Sequence, residues 1–174
     1  MMKSLEGQTI LITGAAVRIG RSLALCAAQQ GANIIIHYGN SRMEAESTLS
    51  EVEQMGVKGM LIQADLNNLD QVKTIIPSAL QFGPIDAVIN SASVFESLEW
   101  FDTSIEDWNR HMNINLTAPF LISQGFAHTL SPNSSSFRAG APAISEISCI
   151  RLKSSKQNPL RAFVLEKSHR CSAL

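Results

Sequence analysis

Apolar residues along this chain fall into two alternating patterns. Short continuous runs are separated by longer stretches in which apolar positions return every three or four residues. Gln8–Thr13, with Thr9-Ile10-Leu11-Ile12 at its centre, is a run of strand length with no polar face, which predicts a strand covered on both sides. Residues 18–30 then place Leu23, Ala24, Ala27 and Ala28 at helical spacing, and Gly31 supplies the stop. The alternation repeats. Strands are predicted over 32–38, 57–63 and 85–90, and helices over 43–55, 69–80 and about 108–128. Pro77 is expected to kink or shorten the third helix. Ser41 is placed to cap the second helix, and Ser104-Ile105-Glu106-Asp107 has the form of a capping box. Residues 91–102 form a loop, with Phe95, Trp100 and Phe101 available to cover apolar surface. Strands and helices in this order predict an α/β fold: a three-layer, Rossmann-like, doubly wound parallel sheet, truncated at its C-terminal side.

Ligands of such sheets sit outside the carboxyl ends of the strands. Four segments meet there. Thr13-Gly14-Ala15-Ala16-Val17-Arg18-Ile19-Gly20 joins the first strand to the first helix. Gly14 permits a sharp turn, and Gly20 permits close packing of helix on strand. Backbone amides of this turn, with Arg18 and Ile19 at the leading end of the helix, suit a pyrophosphate. At the end of the second strand, His37-Tyr38-Gly39-Asn40-Ser41-Arg42 contains no acid to bind ribose hydroxyls. Arg18, His37, Ser41 and Arg42 can instead surround a 2′-phosphate. NADP(H) is therefore favoured over NAD(H), which the turn would also accept. For His37, simple packing is an equal alternative. Asp65 is placed to accept from an adenine amino group, with Leu66 against the ring, or to cap the third helix; the two roles are compatible. Asn90 is placed to hold the loop near the ribose, or to form a turn.

Composition narrows the remaining possibilities. The chain has 174 residues, 45% hydrophobic and 17% charged, which fits one domain with a sizeable core. The net charge of −1 gives no sign of nucleic acid or of an anionic membrane as partner. No apolar run has the length of a membrane span, and the first residues lack the apolar core of a signal peptide. Cys26, Cys149 and Cys171 show no paired spacing, which suggests reduced thiols, a cytoplasmic location and no metal site. Charge is divided unevenly. Residues 1–130 carry 7 Lys+Arg against 13 Asp+Glu, whereas residues 131–174 carry 7 against 2.

Taken together these motifs resemble the short-chain dehydrogenase/reductase family over about residues 5–130. The resemblance rests on Thr13–Gly20, Ala64-Asp65-Leu66, Asn90-Ser91-Ala92-Ser93 in place of Asn-Asn-Ala-Gly, and Asn115-Leu116-Thr117-Ala118-Pro119-Phe120. Arg18, where many members have Gly, together with His37-Tyr38 and Ser41, is similar to the pteridine reductase branch, which uses NADPH on pterins and folates. Asn40 stands where that branch often has a basic residue. The resemblance implies hydride transfer between nicotinamide C4 and a carbonyl or imine carbon of a small-molecule substrate. It implies cofactor contacts from Gly14, Arg18, Ile19, Gly20, His37, Tyr38, Ser41, Asp65, Leu66, Asn90, Ser91 and Ala92. It also implies that Asn115 holds a water in the proton relay, and that the helix around Asn115 offers a face for a homo-oligomer.

The family's acid/base pair is a Tyr with a Lys four residues later, whose charge stabilises the phenolate. Tyr38 is the one Tyr of this sequence, and no Tyr-x-x-x-Lys occurs. Cys149…Lys153 and Leu152…Lys156 have the spacing without the phenol, and Ser145 and Ser148 stand near the place of the family's Ser. Motif, charge balance and periodicity all change near Ser131. Residues 1–130 are thus expected to form the dinucleotide-binding domain. Residues 131–174 are expected to be a replacement of the family's C-terminal half, as a frameshift or aberrant join would produce, or a natural basic Ser-rich tail. A fourth strand without its next neighbour is expected to leave an apolar edge unpaired. Two functions follow: an NAD(P)H-dependent oxidoreductase, or a dinucleotide-binding fragment without turnover. A third, another Rossmann-like enzyme such as a methyltransferase, does not account for Asn90 and Asn115.

Overall fold

The computed structural model describes residues 4–97, 99 and 101–130. Expectations concerning Trp100 and residues 131–174, including Cys149 and Cys171, lie outside the described residues. Four short apolar runs become parallel strands: β1 (Thr9–Thr13), β2 (Asn33–Tyr38), β3 (Gly59–Gln63) and β4 (Ala87–Asn90). Their order in the sheet is β3-β2-β1-β4. The chain moves outward in one direction from β1 to β3 and then returns to the far side of β1. The strand order therefore reverses beside β1, and sheets of this kind bind their ligands at the carboxyl edge of that reversal. Register places Ile12 beside Ile36 and Ile89, and Thr13 beside Asn90.

The helices are α1 (Arg18–Gln29), α2 (Arg42–Gln54), α3 (Leu69–Ala79), α4 (Ile105–Met112) and α5 (Ala118–Thr129). The period-two alternation of strand side chains divides the core into two layers. Ile10, Ile12, Ile34 and Ile36 pack with Ala24, Ala28, Ala45 and Val52 on one face. Leu11, Ile35 and Val88 pack with Val72, Ile75, Ile76, Ile122 and Phe126 on the other. This is the expected three-layer α/β arrangement. β3 is an edge strand with three of its five residues only half-buried, so its predicted length contracts at the N-terminal end. Among the described residues, β4 pairs on its β1 side alone. No helix among them is long and apolar enough to cross a membrane.

Two helical expectations change in detail. Pro77 lies inside α3, which continues to Ala79, one residue short of the predicted end. The single predicted helix over 108–128 begins earlier, at Ile105 behind the Ser104–Asp107 capping box, and is interrupted by a π-helical segment at Asn113–Thr117.

Close packing at the carboxyl edge depends on glycine. Gly14 has φ +65, and a Cβ there would lie 2.9 Å from the Ala92 Cα. A Cβ on Gly20 would lie 2.2 Å from the Gly14 carbonyl oxygen. Both obstacles are backbone or close to it, so neither can swing aside. Gly20→Ala should therefore lower stability by about 2 kcal/mol or more through forced separation of α1 from β1. Urea unfolding measures this, and an unchanged midpoint would contradict the packing.

Candidate functional site

The site begins at the turn after β1. The N–H of Gly14 donates to Nδ1 of His37 at 3.3 Å, and the N–H of Ala15 donates to the backbone carbonyl of His37 at 3.0 Å. The first two amides of the turn are thus consumed inside the protein. Among the described residues, the amides of Arg18, Ile19 and Gly20 at the leading end of α1 have no backbone acceptor, as the first helical turn requires. Unlike that of Gly14, these amides are not spent on an acceptor among the described residues. Arg18 itself has φ +52, a left-handed conformation that glycine adopts freely and arginine does not. It is exposed, and its guanidinium makes no ion pair among the described residues.

Of the two alternatives for His37, the structure takes packing. Its side chain is buried at 2% exposure and does not face a 2′-phosphate. Nε2 lies 3.1 Å from the Ala64 carbonyl and donates to it, which leaves Nδ1 as the acceptor for Gly14. Burial lowers its pKa to about 4, against the raising influence of the bond to Ala64. The imidazole is therefore neutral and serves as a tie between strand ends. Tyr38 is also buried, and its carbonyl accepts from the Ala64 N–H at 3.1 Å. Arg42 is drawn to Glu46 at 2.8 Å, and that carboxylate raises its pKa. Ser41 occupies the cap position of α2 without a side-chain cap bond, so its hydroxyl is available. Arg18 and Ser41 remain as candidate donors to a 2′-phosphate, and His37 does not.

The adenine-side loop follows β3. Asp65 is exposed, and its Oδ1 accepts from the Asn67 N–H at 2.9 Å. Capping of α3 falls to Asn68, whose side chain accepts from Asp70 and Gln71. Asp65 therefore shapes its own turn and is not the helix cap. Leu66 is buried among Leu11, Ile35 and Val72, so its side chain belongs to the core and does not line a ring.

At the end of β4, Asn90 donates to Ser123 Oγ at 3.2 Å, and its Oδ1 is buried without a partner among the described residues. Asn90 thus ties β4 to α5. Holding the following loop is the work of Thr13, whose Oγ1 accepts from Ser91 N–H at 3.0 Å and from Ala92 N–H at 3.1 Å. The sequence pattern marks Thr13 only as the start of the turn. A hydroxyl at the carboxyl end of β1, opposite a loop that follows β4, was the available signal.

Asn115 lies within the π-helical segment, a wide turn frequent at functional positions. Its Nδ2 donates to the Val94 carbonyl at 2.8 Å, and its Oδ1 accepts from the Val94 N–H at 2.9 Å. The carboxamide thus clamps the β4–α4 loop, a duty absent from the expectation that it holds a water. Asn113, two residues earlier, donates to the carbonyl and side-chain oxygens of Asn67 at 3.4 and 3.2 Å. Glu96 pairs with Arg110 of α4. Between the two anchored residues Val94 and Glu96 stands Phe95, 88% exposed. Phe101 is also exposed, so neither aromatic covers apolar surface as the sequence suggested.

Two measurements check this geometry. The unfolded chain binds a proton at His37 near pH 6.5 that the folded chain refuses until about pH 4. Stability from the neutral imidazole is complete above that window and is lost as pH falls through it, by about 3 kcal/mol. Comparing urea midpoints of the wild type and His37→Asn across the window isolates this contribution; identical pH slopes would show that the ring titrates normally. Arg18→Gly should relieve left-handed strain and stabilise by about 0.5–1 kcal/mol after the entropy cost of glycine. A lower melting temperature for this variant would show that the arginine is held by contacts of greater value.

Comparison with known proteins agrees with this edge. The family model for short chain dehydrogenase matches residues 8–137. L-Rhamnose 1-dehydrogenase (NAD(P)(+)) of Sphingomonas sp. is 30% identical over 130 residues, which are 74% of this chain and 51% of that enzyme. A short chain dehydrogenase from Burkholderia cenocepacia in complex with NADP superposes with a TM-score of 0.69 at 29% identity, over 71% of this chain and 51% of that one. FolM alternative dihydrofolate reductase 1 from Brucella canis, complexed with NADP, does so with a TM-score of 0.69 at 26% identity, over 77% and 54%. The chain spans about half the length of the curated relatives it matches. With a parallel sheet in the order β3-β2-β1-β4, a glycine turn at its switch point and a family match over most of its length, this chain belongs to the short-chain dehydrogenase family.

Proposed function

We propose that the chain binds NADP(H) and serves hydride transfer to a flat carbonyl or imine compound of the pterin type. The observation that carries the reading is convergence at one sheet edge. The free amides of Arg18, Ile19 and Gly20, the hydroxyl of Ser41 and the anchored Val94–Phe95 loop follow the carboxyl ends of the three adjacent strands β1, β2 and β4. Gly14 and Gly20 give the turn its close-packed shape, since a Cβ at either would strike Ala92 or the Gly14 carbonyl. Pyrophosphate is held by the helix amides, and the positive end of the α1 dipole favours its charge. Arg18 and Ser41 supply charge and a donor to a 2′-phosphate, and β2 ends without the acid that would select NAD. When bound, the cofactor supplies the hydride from its nicotinamide ring. Phe95 stands exposed between two fixed residues and offers a π-face to a heteroaromatic substrate. The similarity to an alternative dihydrofolate reductase supports the same substrate class.

A second reading is binding without turnover. It is favoured by the absence of Tyr-x-x-x-Lys from the sequence, because general acid/base work then lacks its phenol and its cation.

Calorimetry on the full chain tests the shared root of both readings. NADPH should bind, NADH should bind about tenfold more weakly, and Arg18→Ala should narrow that gap. Absence of heat from both nucleotides would overturn the assignment. Oxidation of NADPH with dihydrobiopterin by the chain alone would reject binding without turnover.

A further inference from the structure

The imidazole of His37 joins three strand ends. It lies near the end of β2, its Nδ1 receives the Gly14 amide that follows β1, and its Nε2 donates to the Ala64 carbonyl that follows β3. Ala64 is fixed a second time, by its own N–H on the Tyr38 carbonyl. Ala15 is fixed by the backbone carbonyl of the same histidine. The ring is at 2% exposure, so water cannot replace either of its partners without opening the core. An aliphatic side chain at this position would leave the Gly14 N–H and the Ala64 carbonyl unpaired.

We infer that His37 is a positioning residue: through Nδ1 it turns the Gly14 amide inward and thereby fixes the turn that aims the free amides further along it, those of Arg18, Ile19 and Gly20, at the coenzyme pyrophosphate. This rests on the dinucleotide reading above and adds to it a residue that never touches the ligand. The δ nitrogen is the atom that matters. It acts on the turn, whereas the ε nitrogen acts on β3, on the far side of the ring. Holding the turn in advance of binding removes an ordering cost from the binding step. The Gly14 amide, although part of the family's glycine turn, is spent inside the protein and is not a phosphate donor.

Asparagine and glutamine separate the two nitrogens. His37→Asn can keep an acceptor in place of Nδ1 and loses the bond to Ala64. His37→Gln can keep a donor in place of Nε2 and loses the acceptor for Gly14. On the full chain, calorimetry should find NADPH affinity within about threefold of wild type for His37→Asn and reduced about tenfold or more for His37→Gln. Equal losses in both variants, or wild-type affinity in His37→Gln, would overturn the assignment. A measurement on the wild type does not depend on the variants folding. NMR should detect a coupling across the hydrogen bond between the Gly14 amide nitrogen and His37 Nδ1, together with slow exchange of that amide. Fast exchange without the coupling would overturn the inference. If the coupling is present and no nicotinamide nucleotide binds, the positioning geometry stands and the dinucleotide reading fails.

Discussion

The carboxyl edge of this sheet depends on the lack of side-chain volume at Gly14 and Gly20. The Gly14 carbonyl occupies the space that a Cβ of residue 20 would need, and Ala92 occupies the space that a Cβ of residue 14 would need. β1, α1 and the loop after β4 are thereby brought within van der Waals contact at a single point. Every other feature of the site is arranged around that contact. Thr13 can reach Ser91 and Ala92 because the loop lies so close, and α1 begins directly against the end of β1 because residue 20 carries no Cβ.

Polar ties then hold the edge in one shape. His37 links the turn to β3, Thr13 links β1 to the β4 loop, and Asn115 links the same loop to the π-helical segment. Each uses a side chain to satisfy backbone groups that have left the sheet and have no ladder partner. Asn113 extends the arrangement to the adenine-side loop through Asn67. The π-helical segment carries both asparagines, two residues apart, and one helix interruption therefore supports both loops. Strain appears at the same edge. Arg18 adopts a left-handed backbone where glycine would be unstrained, and its side chain is exposed. A strained conformation kept at a site points to use of the side chain that causes it.

Much of the fold was legible because strands buried on both faces and amphipathic helices leave different periods in a sequence. Ile34-Ile35-Ile36 has no polar face because both of its faces are covered. Boundaries moved where burial changed: β3 begins at Gly59 because an edge strand is only half covered. The helix interruption at Asn113–Thr117 was not legible. Local sequence is compatible with an unbroken helix there, and the wide turn is accompanied by the bonds Asn113 and Asn115 make to distant loops.

By itself the sequence determined the kind of fold, the glycine turn and the missing acid at the end of β2. Each of these is a local matter of residue type and spacing. Tertiary structure decided which way side chains face. His37 and Leu66 go inward, Phe95 goes outward, and the cap of α3 falls to Asn68 and not to Asp65. A histidine one residue from a strand end can point to either side of a sheet. Only the positions of Gly14 and Ala64, brought from 23 and 27 residues away, make the buried side the one where both ring nitrogens are satisfied.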